Sequence, residues 1–198
     1  MRRQDAEHFL LVGDKVHVRE KRLSDAEEDH SWRQDPELAR LDAAAPLRLD
    51  FQEYLRQYKR ELEYPSAFSR RFGIDTHDGV HIGNCMYYDV DYIRGAAELG
   101  ILLGNREYWG GGYGTEAVQL LLWHMFTNMP VKRVYLHTLD WNHRAQRSFE
   151  KCGFQIIRPV KRSGWEFFLM ELKRERWQEL VQEQQERQER ERARESAS

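Results

Sequence analysis

Four glycines, Gly110, Gly111, Gly112 and Gly114, fall within five consecutive positions, and their flanks leave few architectures open. Upstream, Leu99, Ile101, Leu102 and Leu103 make an apolar run short enough for a buried strand, broken by Gly104 and Asn105. Downstream, from Thr115, the chain is rich in good helix formers. Residues 98–128 therefore read as strand, turn, helix. A Gly-rich turn feeding a helix start leaves backbone N–H groups unpaired, and the helix dipole adds positive potential, so the turn suits a phosphate. Spacing alone also admits a plain loop. A second rival is the dinucleotide fingerprint G-x-G-x-x-A, matched by Gly112-Tyr113-Gly114-Thr115-Glu116-Ala117, with Asp140 placed as a ribose-binding carboxylate. That fingerprint belongs in a repeating β-α-β chain, whereas the segments before Glu98 read as consecutive strands.

The remaining elements follow from period and punctuation. Residues 15–20 alternate as a first strand. Ser24-Asp25 caps a helix over 26–35 that Pro36 stops. Its acids Asp25, Glu27, Glu28 and Asp29 read as a solvated face matched to the helix dipole, or else as a lure for a cationic acceptor. Asp50 caps a second helix over 51–63, where Phe51, Tyr54, Leu55, Tyr58 and Leu62 share one face. A hairpin over 67–75 and 80–89 turns at Asp78-Gly79. After the central helix come a strand over 133–139, a helix over 142–152 closed by Gly153, and a hairpin over 154–160 and 165–172. The order predicts an α+β fold: a mixed, mostly antiparallel sheet of about seven strands with one parallel β-α-β crossover and four main helices.

Residues 1–14 read as a leader, 15–172 as the domain and 173–198 as a charged tail, helical or disordered. Trp177, Leu180 and Val181 offer the tail one apolar turn; beyond it only Glu, Gln, Arg, Ala and Ser remain, with Glu183–Arg187 and Glu186–Arg190 as helix-supporting pairs. The formal net charge is −2 and the pI about 6.5, which argues against nucleic acid as the main partner. Cys85 and Cys152 have neither metal spacing nor a disulfide framework. Nothing approaches a membrane span or a signal peptide, so a cytoplasmic location is the default expectation.

The stretch ILLGNREYWGGGYGTEA resembles the cofactor motif of the GNAT superfamily of acyl-CoA-dependent N-acyltransferases, in the branch that includes ribosomal-protein alanine and spermidine acetyltransferases. A second stretch, Asn142-His143-Arg144-Ala145 with Phe149-Glu150-Lys151-Cys152-Gly153-Phe154, is similar to the family's N-x-x-A-x-x-x-Y-x-K-x-G-F. The resemblance runs over roughly residues 16–172. It implies acetyl-CoA as cosubstrate, no metal, a pantetheine arm along Ile101, Leu102 and Leu103, and a pyrophosphate on the amides of Gly110, Gly111, Gly112, Tyr113, Gly114 and Thr115. Asn142 carries over as a cofactor contact and also reads as a helix N-cap. Arg106 reads as a surface arginine or an extra phosphate contact.

Acetyl transfer needs a neutral amine, donors for the developing oxyanion, and a proton for the leaving thiolate. Glu98 is the candidate base, with a structural hydrogen bond as its other reading. The family's usual tyrosine acid falls at Phe149, which has no proton to give; Ser148, one residue away, is the substitute, with Tyr135 and His137 as other candidates. The implied reaction is direct attack of a primary amine (a protein N-terminus, a polyamine or another small amine). The alternatives are a CoA-binding module with little or no turnover and a nicotinamide-binding protein. The two N-terminal helices and the turn at 160–165 are expected to line the acceptor site. Analogy of architecture points to a homodimer.

Overall fold

The computed structural model describes residues 10–195. Eight strands, β1 (Leu10–Val12), β2 (Val16–Glu20), β3 (Arg70–Thr76), β4 (His81–Asp91), β5 (Ala96–Leu103), β6 (Arg133–Leu139), β7 (Gln155–Arg162) and β8 (Trp165–Lys173), form one sheet in the order 1-2-3-4-5-6-8-7. Every neighbouring pair is antiparallel except β5 and β6. The single parallel crossover is therefore where the Gly-rich stretch demanded it. The additional strand is β1, inside the stretch expected to be a patternless leader; three residues are too few to show alternation. The rest of that leader, 1–9, lies outside the described residues.

The helices are α1 (Ala26–Gln34), α2 (Pro36–Leu41), α3 (Phe51–Glu63), α4 (Tyr113–Asn128), α5 (His143–Lys151) and α6 (Arg174–Glu195). Pro36 ends α1, as expected, but it also opens α2. A proline at the first helical position loses no needed N–H, and Asp35 caps the new helix by accepting from Glu37 N and Leu38 N. The crossover helix α4 lays Val118, Leu121, Leu122, Met125 and Phe126 on one face of the sheet, against Val18, Phe72, Ile74, Leu99 and Leu136, all almost fully buried.

The opposite face carries charge. Arg19, Asp75 and His81 of β2, β3 and β4 lie beneath α1, and a closed ring of alternating ions joins them. Arg19 binds Asp25 at 2.7 Å, Asp25 binds Lys21 at 3.1 Å, and Lys21 binds Asp29 at 2.8 Å. Asp29 meets His81 at 3.2 Å, His81 meets Asp75 at 3.1 Å, and Asp75 returns to Arg19 at 2.5 Å. All six side chains are at most 7 % exposed. Tyr58 of α3 donates to Asp29 at 3.0 Å, which ties the second helix to the same ring. The acids of α1 are thus not one solvated face: Asp25 and Asp29 are buried, while Glu27 and Glu28 are exposed. Trp32 of α1 completes the attachment by lying so close over Gly104 that a Cβ there would sit 1.9 Å from the indole.

At the other end, α6 is a continuous helix. Arg174 donates to the carbonyls of Phe126, Met129 and Val131, and Trp177 packs 5.2 Å from the Phe126 ring. Glu186 pairs with Arg190 as expected, but Glu183 reaches back to Arg176 at 3.2 Å instead of forward to Arg187.

Candidate active site

The parallel ladder is short. It runs from Ala96↔Arg133 to Glu98↔Tyr135 and stops. Beyond Glu98, β5 keeps β4 as its partner on one side and leaves its other edge open toward β6. A cleft of about 330 Å³ sits over this splay, between the end of β5, the Gly-rich turn, the start of α4 and one face of α5.

The turn is built from local chemistry. Asn105 caps a single 3-10 turn, Arg106–Tyr108, by accepting from Glu107 N at 3.1 Å. Trp109 folds back and donates its indole N–H to the Leu103 carbonyl at 2.9 Å, and the Arg144 guanidinium lies 3.7 Å over the Trp109 ring. Gly112 then serves as the N-cap of α4 at φ +87°, in the left-handed region that a β-branched residue resists. It supplies no side-chain cap, so the first-turn amides of α4 are left for a ligand. Glu116, which might have folded back on them, instead accepts from the amides of Asp14, Lys15 and Val16 at 2.8–3.0 Å.

Ile101, Leu102, Leu103, Gly110, Gly112, Gly114, Thr115, Asn142 and Ser148 all line the cleft. Gly111 and Tyr113 do not; Tyr113 packs edge-on against Tyr108 with centroids 5.1 Å apart. Asn142 caps α5, accepting from Ala145 N at 3.2 Å, and also lines the cleft. Ser148 shares a 2.8 Å hydrogen bond with Thr115 across the cleft wall. Phe149 lines the cleft from a largely buried position and meets Phe154 edge-on. Arg106 is committed to Asp35 and Glu37, both at 2.8 Å, and joins the turn to α2. Sequence reasoning missed Arg144, Arg147 and Lys151, three cations on the cleft wall. Their spacing of i, i+3 and i+7 along α5 is the signal that places them on one face.

Glu98 sits at the apex of the splay, 4 % exposed, on the sheet face away from α4. Its Oε1 is 2.7 Å from His137 Nδ1, so the base candidate and one of the alternative proton carriers form a single pair. Tyr88 and Tyr135 flank it in register, and burial together with the Glu98 charge raises both phenols above their ordinary range. Burial pushes both thiols, Cys85 and Cys152, up to about 12, which leaves neither a ready nucleophile. Among the described residues no group of three or more His, Cys, Asp or Glu is placed to hold a metal ion, and no helix is long and apolar enough to cross a membrane.

A second cavity of about 280 Å³ lies across β5 from the cleft and shares Ile101, Leu102 and Asp42 with it. Its walls come from α1, α3, β3, β4 and β5. α1 and α3 contribute to it, and the β7–β8 turn does not.

A one-sided strand edge, bare helix amides and a basic helix face meet at the one parallel strand pair among the described residues. Residues 15–155 match the model of the acetyltransferase (GNAT) domain, and the chain belongs to that family. It is an N-acetyltransferase by family. Among its relatives is an uncharacterized N-acetyltransferase, p20, of Bacillus licheniformis, 28% identical over 73% of this chain and 82% of the relative. The spermidine N(1)-acetyltransferase of Vibrio cholerae is 29% identical over 43% of this chain, a match that spans only 49% of that enzyme. The fold matches that of a spermidine N-acetyltransferase from Vibrio cholerae solved with CoA and spermine, at a TM-score of 0.74 and 19% identity, covering 83% of this chain and 99% of the other.

Proposed function

We propose that this chain moves an acetyl group from acetyl-CoA to a primary amine by direct attack, with the cofactor in the cleft beside β5 and the amine entering from the cavity opposite. The observation that carries this is the coincidence, in one cleft, of the open edge of β5 with the uncapped first turn of α4. The edge offers main-chain groups at Ile101, Leu102 and Leu103 to an extended arm, apart from the Leu103 carbonyl, which accepts from the Trp109 indole. The turn offers the amides of residues 110–115 to a diphosphate, since glycine lets backbone approach closely. Arg144, Arg147 and Lys151 add positive charge for the phosphates, and Asn142 a polar contact. In this reading the amine nitrogen bonds to the thioester carbon as the C–S bond breaks. Glu98, held by His137, takes the ammonium proton, through water where the reach requires it. Thiolate is a fair leaving group unaided; Ser148, the one hydroxyl next to Phe149, is the candidate that protonates it.

The test is release of free thiol from acetyl-CoA in the presence of an amine panel, for the wild type and for Glu98→Gln. Removing a general base costs on the order of 10²–10⁴ in rate. The loss is expected to be greatest at low pH and to shrink as solution deprotonates the amine. An unchanged pH–rate curve would move the base elsewhere.

A further inference from the structure

We infer that the acceptor is an amine that also carries a carboxylate, and that Arg33 and Arg71 recognise that carboxylate. This deepens the proposed function and rests on it. The cavity across β5 from the cofactor cleft is lined by two acids, Asp29 and Asp42, and two arginines, Arg33 and Arg71. The acids are less available than they look. Asp29 is fully spent: its Oδ1 accepts from Asn84 at 2.7 Å and meets His81 at 3.2 Å, while its Oδ2 accepts from Tyr58 at 3.0 Å and meets Lys21 at 2.8 Å. Its charge is cancelled inside a ring of three acids and three bases. That leaves Asp42, at the rim shared with the cofactor cleft, as the carboxylate able to meet an incoming ammonium.

The arginines are the reverse. Arg33 is solvent-exposed and makes no side-chain hydrogen bond or ion pair among the described residues; Asp42 attracts it only through space. Arg71 has one long contact, 3.7 Å to a Glu61 that is itself 67% exposed. Two guanidinium groups with open donors face a cavity that touches Ile101 and Leu102, two of the residues expected along the pantetheine arm. Of the two acids on the adjoining groove, Glu20 is paired with Arg70 and Glu61 reaches Arg71 at 3.7 Å. A polycation entering the cavity meets two arginines beside Asp42, the one carboxylate on its wall with no side-chain hydrogen bond among the described residues. A zwitterion places its ammonium toward Asp42 and its carboxylate on a guanidinium fork, which binds carboxylates bidentately. The cavity size suits a free amino acid; the acidic first residue of a peptide carries the same two groups.

The experiment compares kcat/KM for free amino acids, for their decarboxylated amines, for short peptides beginning with Asp or Glu, and for spermidine and spermine. Binding of each to the CoA-loaded protein is followed in parallel by calorimetry. The expected result is a preference for carboxylate-bearing amines over decarboxylated partners and polyamines of about 10- to 100-fold, the usual worth of hydrogen bonds to a charged group. In Arg33→Gln and Arg71→Gln that ratio falls toward one, chiefly through KM; both positions are open to solvent, and circular dichroism confirms the fold. Peptides outperforming free amino acids would make the acceptor a protein terminus and still support the role of the arginines. Preferred binding and turnover of polyamines, or a preference untouched by both substitutions, would overturn this inference and leave the acetyltransferase reading intact. Failure to bind CoA at all would overturn both.

Discussion

At the scale of single residues, the ion ring beneath α1 decides most. Burial alone would drive Asp25, Asp29 and Asp75 toward the neutral acid. The hydrogen bonds from Arg19, Lys21 and His81 outweigh it and hold all three below the ordinary carboxylate value of 3.8. Burial alone would likewise discharge His81, but its bonds to Asp29 and Asp75 raise it above 6.5. Linkage fixes the pH response. The raised His81 contributes stability that is complete below about 6.5 and is lost as pH climbs through its folded value. The three aspartates contribute above 3.8 and lose that contribution on acidification. The expected urea midpoint therefore falls from pH 6 toward pH 9, and His81→Asn flattens that slope; a slope the variant leaves unchanged would place the titration elsewhere. Lys21→Met strips one partner from two buried carboxylates and is expected to cost about 3–5 kcal/mol, read from the same titration. None of this was legible in the chain. Asp25 and Asp29 stand four apart on a short helix, as solvated acids do. Only the pairing of β2, β3 and β4 brings Arg19, Asp75 and His81 beneath them.

At the scale of elements, the Gly-rich turn was the legible part, because its chemistry is local. A strand, a run of glycines and a helix start dictate one another's geometry. The structure returns the turn with Gly110 and Gly112 in the left-handed region at φ +80° and +87°. A Cβ at Gly112 would meet only Lys15, at 3.8 Å, so the constraint there is the backbone angle and not space. Gly112→Val is expected to cost on the order of 1–3 kcal/mol of backbone strain and to tilt the first-turn amides. Calorimetric affinity for CoA should drop at least about tenfold, since 1.4 kcal/mol is a factor of ten; an unaltered dissociation constant would clear the turn of its role. Less legible elements fail for nameable reasons. β1 is too short to show a period, Pro36 both stops one helix and starts the next, and the cations of α5 share the cleft wall only once that helix is packed beside the Gly-rich turn.

At the scale of the molecule, the sheet does two jobs with its two faces. One is greasy and carries α4, which aims bare amides at the cleft. The other is ionic and carries α1 and α3, which wall the second cavity. The two cavities meet at Ile101, Leu102 and Asp42, past the point where β5 parts from β6 at Glu98, which lines neither. The single parallel pair followed from the sequence, because one crossover among hairpins has few solutions; the insertion of β8 between β6 and β7 did not. The second cavity did not, because its walls come from helices and strands far apart in the chain. The account stands most directly on where coenzyme A lies. A crystal structure grown with CoA is predicted to show the diphosphate within hydrogen-bond distance of the amides of residues 110–115, and the pantetheine arm along the open edge of Ile101–Leu103. Phosphates bound anywhere else on the protein would contradict it.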